Sequence, residues 1–367
     1  MKKALQLVLM LGVTGLFTWL AFRGTRWDRL GESLKSAHYR WLIPYLMLLL
    51  LAHVFRVLRW GNLLSGMEKI PFRQLNEASS IGFMMLLVMP FRLGEFARPF
   101  LIAQRSQIRR SSAMTTIVLE RIADGLTIAV LLRALLFFLP GYTDTVRYVR
   151  WGANMMFVVF GGGLAFLIFA RKYQPLTARM VQKFIRPLST STADKVSSIT
   201  HHFVEALRQL PAAPQRISFT AYTVGYWGCY GVGGAVLSNA FACTGTGPET
   251  CGGFHLSLYQ AFLVQCILVV GLMIPGAPGM VGTFQAAVKM GLSLFVPETV
   301  VNSQGMAFAN VMWLTQAVQQ VGLGLLFIVV SHGSFRDIAG HLNEREQKKE
   351  PPDVHPEARN SGLKAGL

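Results

Sequence analysis

The chain has 367 residues, 52% of them apolar and only 14% charged, with a formal net charge of +17. That balance excludes an ordinary soluble domain and leaves an all-α fold, a polytopic membrane helical bundle. Nucleic acid is excluded as a partner, because no basic stretch is interleaved with aromatic residues; the excess Lys and Arg belong in loops that stay cytoplasmic and meet anionic lipid. Four cysteines are too few for a disulfide-built scaffold.

Ala4 to Phe22 reads as the first span, since bulky residues run to Phe22 with no clear small-x-small cleavage site. An amphipathic connector with Trp27, Leu30, Leu34 and Tyr39 follows. Its five Lys or Arg between Arg23 and Arg40 fall on the outer side, against the positive-inside tendency. The second span, Trp41 to Leu58, closes with HVFRVLRW, in which His53 and Arg56 share a face and Arg59 with Trp60 reads as an interfacial anchor.

Residues 79–104 are too short in apolar length to cross about 30 Å of hydrocarbon. Charge begins at Arg92, and both flanks are basic, so the segment is expected to be a re-entrant hairpin with Pro90, Arg92, Gly94, Glu95 and Arg98 at its break. Ser112 to Leu139 spans next and carries Glu120, Arg121, Asp124 and Arg133. Glu120 and Asp124 lie one turn apart on one face and need cations, for which Arg92 and Arg98 are the obvious supply. A structural ion cluster and a substrate site are both consistent with that pattern.

Trp151 to Ala170 spans back, with Gly161, Gly162 and Gly163 expected to permit close packing. Residues 171–216 hold eight Lys or Arg against Asp194 and Glu205 and form a cytoplasmic connector, amphipathic through Val196, Ile199, Phe203, Leu207 and Leu210. His201 and His202 beside that stripe are read as interfacial. Ile217 to Phe241 spans outward to a loop without Lys or Arg, where a Cys243 to Cys251 bridge is chemically reasonable; Cys229 and Cys266 read as small core residues. The run from Tyr259 to Ile274 is then broken at Pro275 to Gly282 and resumes from Thr283 to Val296 with Gln285 and Lys289, a second hairpin with external flanks. Gly305 to Ser331 is the last span, and 336–367 reads as a disordered cytoplasmic tail. The expectation is about six spans plus two re-entrant hairpins within a 1–335 domain, both termini cytoplasmic.

The two breaks echo each other: Pro90, Gly94 and Phe96 in PFRLGEF match Pro278, Gly282 and Phe284 in PGMVGTF. Interrupted segments with mouths on opposite sides suggest an inverted repeat and point to a midplane site. The helices that begin after Gly94 and Gly282 would aim N-terminal N–H groups at an anion, and with Arg92 and Arg98 alongside, a phosphate is the natural guest.

LRW at 58–60, PFRLGEFARPFLI, ERIADGL at 120–126 and PGAPGMVGTFQAAV together resemble the lysylphosphatidylglycerol synthase transmembrane family, the flippase-like half of multiple peptide resistance factor proteins. The resemblance covers about 1–335 and implies a plasma (inner) membrane protein that handles lipid. The family's Pro-x-Arg-x-Gly-Glu-x-x-Arg pattern matches Pro90, Arg92, Gly94, Glu95 and Arg98, and its Glu-Arg-x-x-Asp pattern matches Glu120, Arg121 and Asp124. Its late Pro-Gly-Gly-x-Gly pattern, usually followed by Glu, departs here at Met280 and Gln285. Full-length synthases of this kind add an aminoacyl-transferase domain, which the short tail does not supply.

The expected function is translocation of an anionic, aminoacylated or polyprenyl-phosphate-linked lipid between leaflets. The alternative is a membrane scaffold or lipid-presenting subunit for a separate transferase. The candidate head-group residues are Arg56, Arg92, Gly94, Glu95, Arg98, Glu120, Arg121, Asp124, Gly282, Gln285 and Lys289. Neither HExxH, GxSxG, a paired-Asp motif nor CxxC occurs, so no catalysis, metal or cofactor is expected.

Overall fold

A computed structural model describes residues 16, 18, 19, 22–89, 94–139, 144–173, 213–242, 254–273 and 278–330. Their regular structure is entirely helical: α1 Trp27–Ser36, α2 Leu42–Leu64, α3 Phe72–Val88, α4 Ala97–Arg105, α5 Arg110–Phe137, α6 Asp144–Lys172, α7 Ala213–Ser238, α8 Leu258–Leu272, α9 Thr283–Leu292 and α10 Met306–Val330. By length and composition three described stretches can cross a bilayer, Tyr39–Leu64, Val146–Phe169 and Glu298–Val330. Side chains such as Val158, Val159, Ile168, Val318 and Leu326 are left outward and exposed, the lipid-facing surface of a membrane bundle.

Most of the first span, Pro90, Arg92, the amphipathic stripe with His201 and His202, the Cys243 to Cys251 pair and the tail lie outside the described residues.

Both interrupted segments fold as helix, break, helix. In the first, Glu77 pairs with Arg105 at 2.6 Å, and Gly94 lies against Met85 and Leu86, so α4 returns antiparallel along α3. In the second, Gly271 faces Ala287 and Gly291 faces Val264, so α9 returns along α8. The first hairpin begins earlier than apolar length alone suggests, at Phe72. Polar residues of its first turns are hidden by neighbouring helices: His53 on α2 meets Asn76 at 2.8 Å and Ser80 at 3.2 Å.

The hairpins enter from opposite ends. One cluster joins Leu64 at the end of α2, Leu75 at the start of α3, Ile102 near the end of α4 and Ile108 before α5. Another joins Leu237 near the end of α7, Phe254 and Leu256 before α8, Leu292 at the end of α9, and Val301. Phe55 lies against Gly225 and Tyr45 against Gly233, so α7 runs antiparallel to α2 and the two clusters cap opposite ends of the bundle. The inward turns of both hairpins meet at one cavity between them.

Helix α1 packs at the mouth of the α8–α9 hairpin. The Arg26 N–H donates to the Asn302 carbonyl at 3.1 Å and the His38 N–H to the Ala240 carbonyl at 2.9 Å. The basic connector therefore sits at the end its topology required, despite its charge. Leu30 and Leu34 are half-buried against the core there, which fixes the connector by packing.

Two expectations are corrected. Arg59 and Trp60 are fully buried, not an interfacial anchor, because α5 and α7 pack across the end of α2; the Trp60 Nε1 donates to the Thr116 hydroxyl at 3.0 Å. Of the three glycines, Gly163 faces Ile122 on α5 at contact distance while Gly161 and Gly162 have open space beside them, and the tightest α5–α6 approach is made by Gly125 against the ring of Phe160. Cys229 and Cys266 are buried core residues as expected. Arg133, a charge in the last turns of α5, donates to the Asn154 side chain on α6.

Candidate functional site

The i, i+4 spacing that puts Glu120 and Asp124 on one face of α5 turns both carboxylates inward. Arg59 reaches them together: its Nη2 donates to Glu120 Oε1 at 2.7 Å, and its Nη1 and Nη2 to Asp124 at 2.5 and 3.1 Å. From the hairpin, Arg98 Nη1 donates to the other Glu120 oxygen at 2.7 Å. Arg121 lies 3.2 Å from Asp124 and 4.0 Å from Glu95. The pairs run Glu95, Arg121, Asp124, Arg59, Glu120, Arg98, and both ends of the series fall on the same hairpin, three residues apart. The result is a series of three guanidinium and three carboxylate groups that becomes a ring only through the backbone of that hairpin.

Such a ring is costly to desolvate and survives in a low-dielectric interior because every member has an opposite charge beside it. The hairpin is shaped to allow it. The stem of Arg98 crosses directly over Gly82, where a Cβ would lie 2.2 Å from its Cγ. The Arg98 guanidinium also stands 4.3 Å from the Trp60 ring centroid and 4.7 Å from that of Phe83.

Arg56 stands outside the ring. It is buried, has no carboxylate partner among the described residues, and rests on the face of Phe83 with Cζ 3.5 Å from the ring centroid. It borders a cavity of about 400 Å³. Glu95, Arg121 and Asp124 share the charged side of that wall. Tyr226, Trp227, Tyr230 and Trp313 form an aromatic side, and the turns of both hairpins contribute Leu87, Met273 and Gly279. Among the described residues, the space thus has a charged end where Arg56 stands beside the ionic series, and a broad apolar body.

The structure therefore divides the predicted residues. Arg56, Glu95, Arg121 and Asp124 line the cavity; Arg98 and Glu120 sit behind it and fasten the hairpin to α5. Gly94 is occupied by close approach, since a Cβ there would lie 2.1 Å from the Leu86 nitrogen. On the second hairpin, Gly282 adopts φ +83° and its N–H donates to Gln285 Oε1 at 2.8 Å. That amide is thus already taken, contrary to the expectation that the helix start would offer it to an anion. The other end of Gln285 donates to Asn310 at 3.2 Å, so this side chain closes a helix start and is not on the cavity wall. Lys289 donates to the Arg23 carbonyl at 2.7 Å and borders a different cavity, near Glu298.

The residue missed by sequence reasoning is Arg59. Its signal was available: it lies one turn from Arg56, and two carboxylates one turn apart call for more than one cation. The Met280 departure also has a structural expression, because Met280 adopts φ +56°, a conformation in which glycine is unstrained.

No curated protein and no solved structure matches the chain. The family model described as the lysylphosphatidylglycerol synthase TM region matches residues 7–324, and the chain belongs to that family.

Proposed function

We propose that this protein is a lipid translocase of the plasma (inner) membrane that passes the head group of an anionic, aminoacylated or polyprenyl-phosphate-linked lipid through the cavity between its two hairpins. Family membership ties it more broadly to membrane lipid. The observation that carries the reading is Arg56, a buried cation with no carboxylate in direct contact among the described residues, on the wall of a cavity that both hairpin turns share. A phosphate at Arg56 supplies a direct counter-charge, and Glu95 and Asp124 on the same wall suit an amine carried by an aminoacylated head group. The basic end with Lys69, Arg73, Arg105, Arg109 and Arg110 faces the cytoplasm in this reading, and the protein performs no chemistry on the lipid.

Proteoliposomes containing fluorescent-tail lipids, with leaflet-selective quenching, test it. Arg56→Gln is expected to slow the crossing of an anionic lipid at least about tenfold, from loss of a charge-assisted contact of about 1.5–3 kcal/mol. Crossing at the wild-type rate by a well-folded Arg56→Gln protein refutes the reading. The complete burial of Arg59 and Glu120 favours a second one, in which the charges only hold the bundle together and the protein presents lipid to a separate transferase. Its mark is co-purification of a soluble enzyme with no transport by the isolated chain.

A further inference from the structure

The α8–α9 hairpin separates two spaces, and the second has no share in the charged site. Leu268 and Phe284 face the cavity that Arg56 borders, while Ile267, Gly271 and Ala286 face a cavity of about 720 Å³ against α6. Among the described residues, none lines both.

The second space exists because α6 and α9 do not close on one another. Thr283, Ala286, Ala287 and Met290 line it from one face of α9, at helical spacing. On the opposite wall Gly152 has nothing within 4 Å of where a Cβ would stand. Met290 and Tyr148, one on each wall, are exposed, so the gap opens sideways to the bilayer. Its volume falls in the range of ligand sites, about 300–1,000 Å³. Its depth matches one leaflet: α9 has 10 residues, about 15 Å of helix against about 30 Å for the whole hydrocarbon core. The gap follows that helix from Thr283 at the hairpin break to Ser293 and Glu298, at the end of the bundle away from Arg105 and Arg110.

The mouth carries both signs of charge. Lys289 is held there by its bond to the Arg23 carbonyl at 2.7 Å, and Glu298 borders the same space. A head group with a phosphate and an ammonium meets both, the phosphate at Lys289 and the ammonium at Glu298. An anionic head group gains from Lys289 and is repelled by Glu298.

We infer that the gap between α6 and α9 is a second lipid site, separate from the cavity between the hairpins. It takes one acyl chain of a zwitterionic phospholipid that carries a primary ammonium, from the leaflet at that end of the bundle. The inference does not depend on translocation, and none of its readouts requires transport.

The full chain is purified in maltoside micelles and photolabelled with a phosphatidylethanolamine that carries a diazirine near the end of one chain. Peptide mass spectrometry locates the adducts, which are expected on residues 148–152 and 283–293. Unlabelled phosphatidylethanolamine is expected to displace the label at about fivefold lower concentration than phosphatidylglycerol, the scale of one charge-assisted contact at an exposed rim. Glu298→Gln is expected to bring the two lipids within about twofold. Ala286→Phe fills the gap from one wall and Gly152→Leu from the other, and each is expected to reduce those adducts at least about tenfold. If one of the two fails to give a monodisperse protein in size-exclusion chromatography, the other decides. Equal displacement by the two lipids overturns the inference, and so does a preference unchanged in Glu298→Gln. Adducts that persist in the well-folded gap-filling variants mark ordinary boundary lipid and overturn it as well.

Discussion

Glu120→Gln is the sharpest probe of the charged ring. Glu120 accepts from Arg59 at 2.7 Å with one oxygen and from Arg98 at 2.7 Å with the other, and it is completely buried. Each charge-assisted bond contributes about 1.5–3 kcal/mol net, so neutralising the acceptor removes about 3–6 kcal/mol and leaves Arg98 without its ring partner. Arg98→Met removes only one of the two bonds and leaves Glu120 paired with Arg59, so its cost is expected to be about half as large. Unfolding by SDS titration, followed by far-UV circular dichroism in mixed micelles, gives both values. The ordering matters more than the absolute size. A Glu120→Gln cost below about 1 kcal/mol, the range of exposed pairs, or a cost smaller than that of Arg98→Met, refutes the ring as the fastening of the hairpin.

Gly94→Ala is expected to abolish a monodisperse folded protein in size-exclusion chromatography, because a Cβ 2.1 Å from the Leu86 nitrogen meets backbone that cannot yield. Gly82→Ala is expected to cost about 1–3 kcal/mol in the wild-type background and well under 1 kcal/mol beside Arg98→Ala, since the Arg98 stem is the atom group in the way; additivity of the two would contradict this. Met280→Gly is expected to stabilise the chain by about 0.5–1 kcal/mol in the same titration, the relief of a left-handed side-chain conformation less the entropy gained by the unfolded glycine.

The hairpins were legible because their signals are local. An apolar run too short to cross, a Pro and Gly break, and basic or uncharged flanks are all readable within 25 residues, and the structure places both breaks and their opposite mouths accordingly. The face of Glu120 and Asp124 was legible for the same reason. Arg59 was not, because position near the end of a span is ambiguous until a neighbour is placed over it. Here α7 brings the Tyr226 ring 4.9 Å from its guanidinium, a contact more than 160 residues away in sequence. Gln285 shows the reverse error: a polar residue after a break suggests a ligand, whereas its oxygen is used at 2.8 Å by the helix that carries it. Gly161 and Gly162 show a third kind, in which small residues permit an approach that the partner helix does not make.

The closure of the ionic ring on a single hairpin makes the two hairpins unequal in stiffness. Sliding α3–α4 relative to α5 pulls on Glu95 and Arg98 together, so two ion pairs must part at once, and the Arg98–Glu120 pair does so in buried surroundings that cannot hydrate it. The α8–α9 hairpin has no charged residue at its described turn. Its Gly279 carbonyl accepts from Trp313 Nε1 at 2.7 Å, and its other described ties are single hydrogen bonds, Gln285 to Asn310, Lys289 to the Arg23 carbonyl and Tyr259 to the Leu135 carbonyl. Displacing it breaks far less electrostatic order. In mechanical terms, the α3–α4 hairpin is the more firmly anchored of the two.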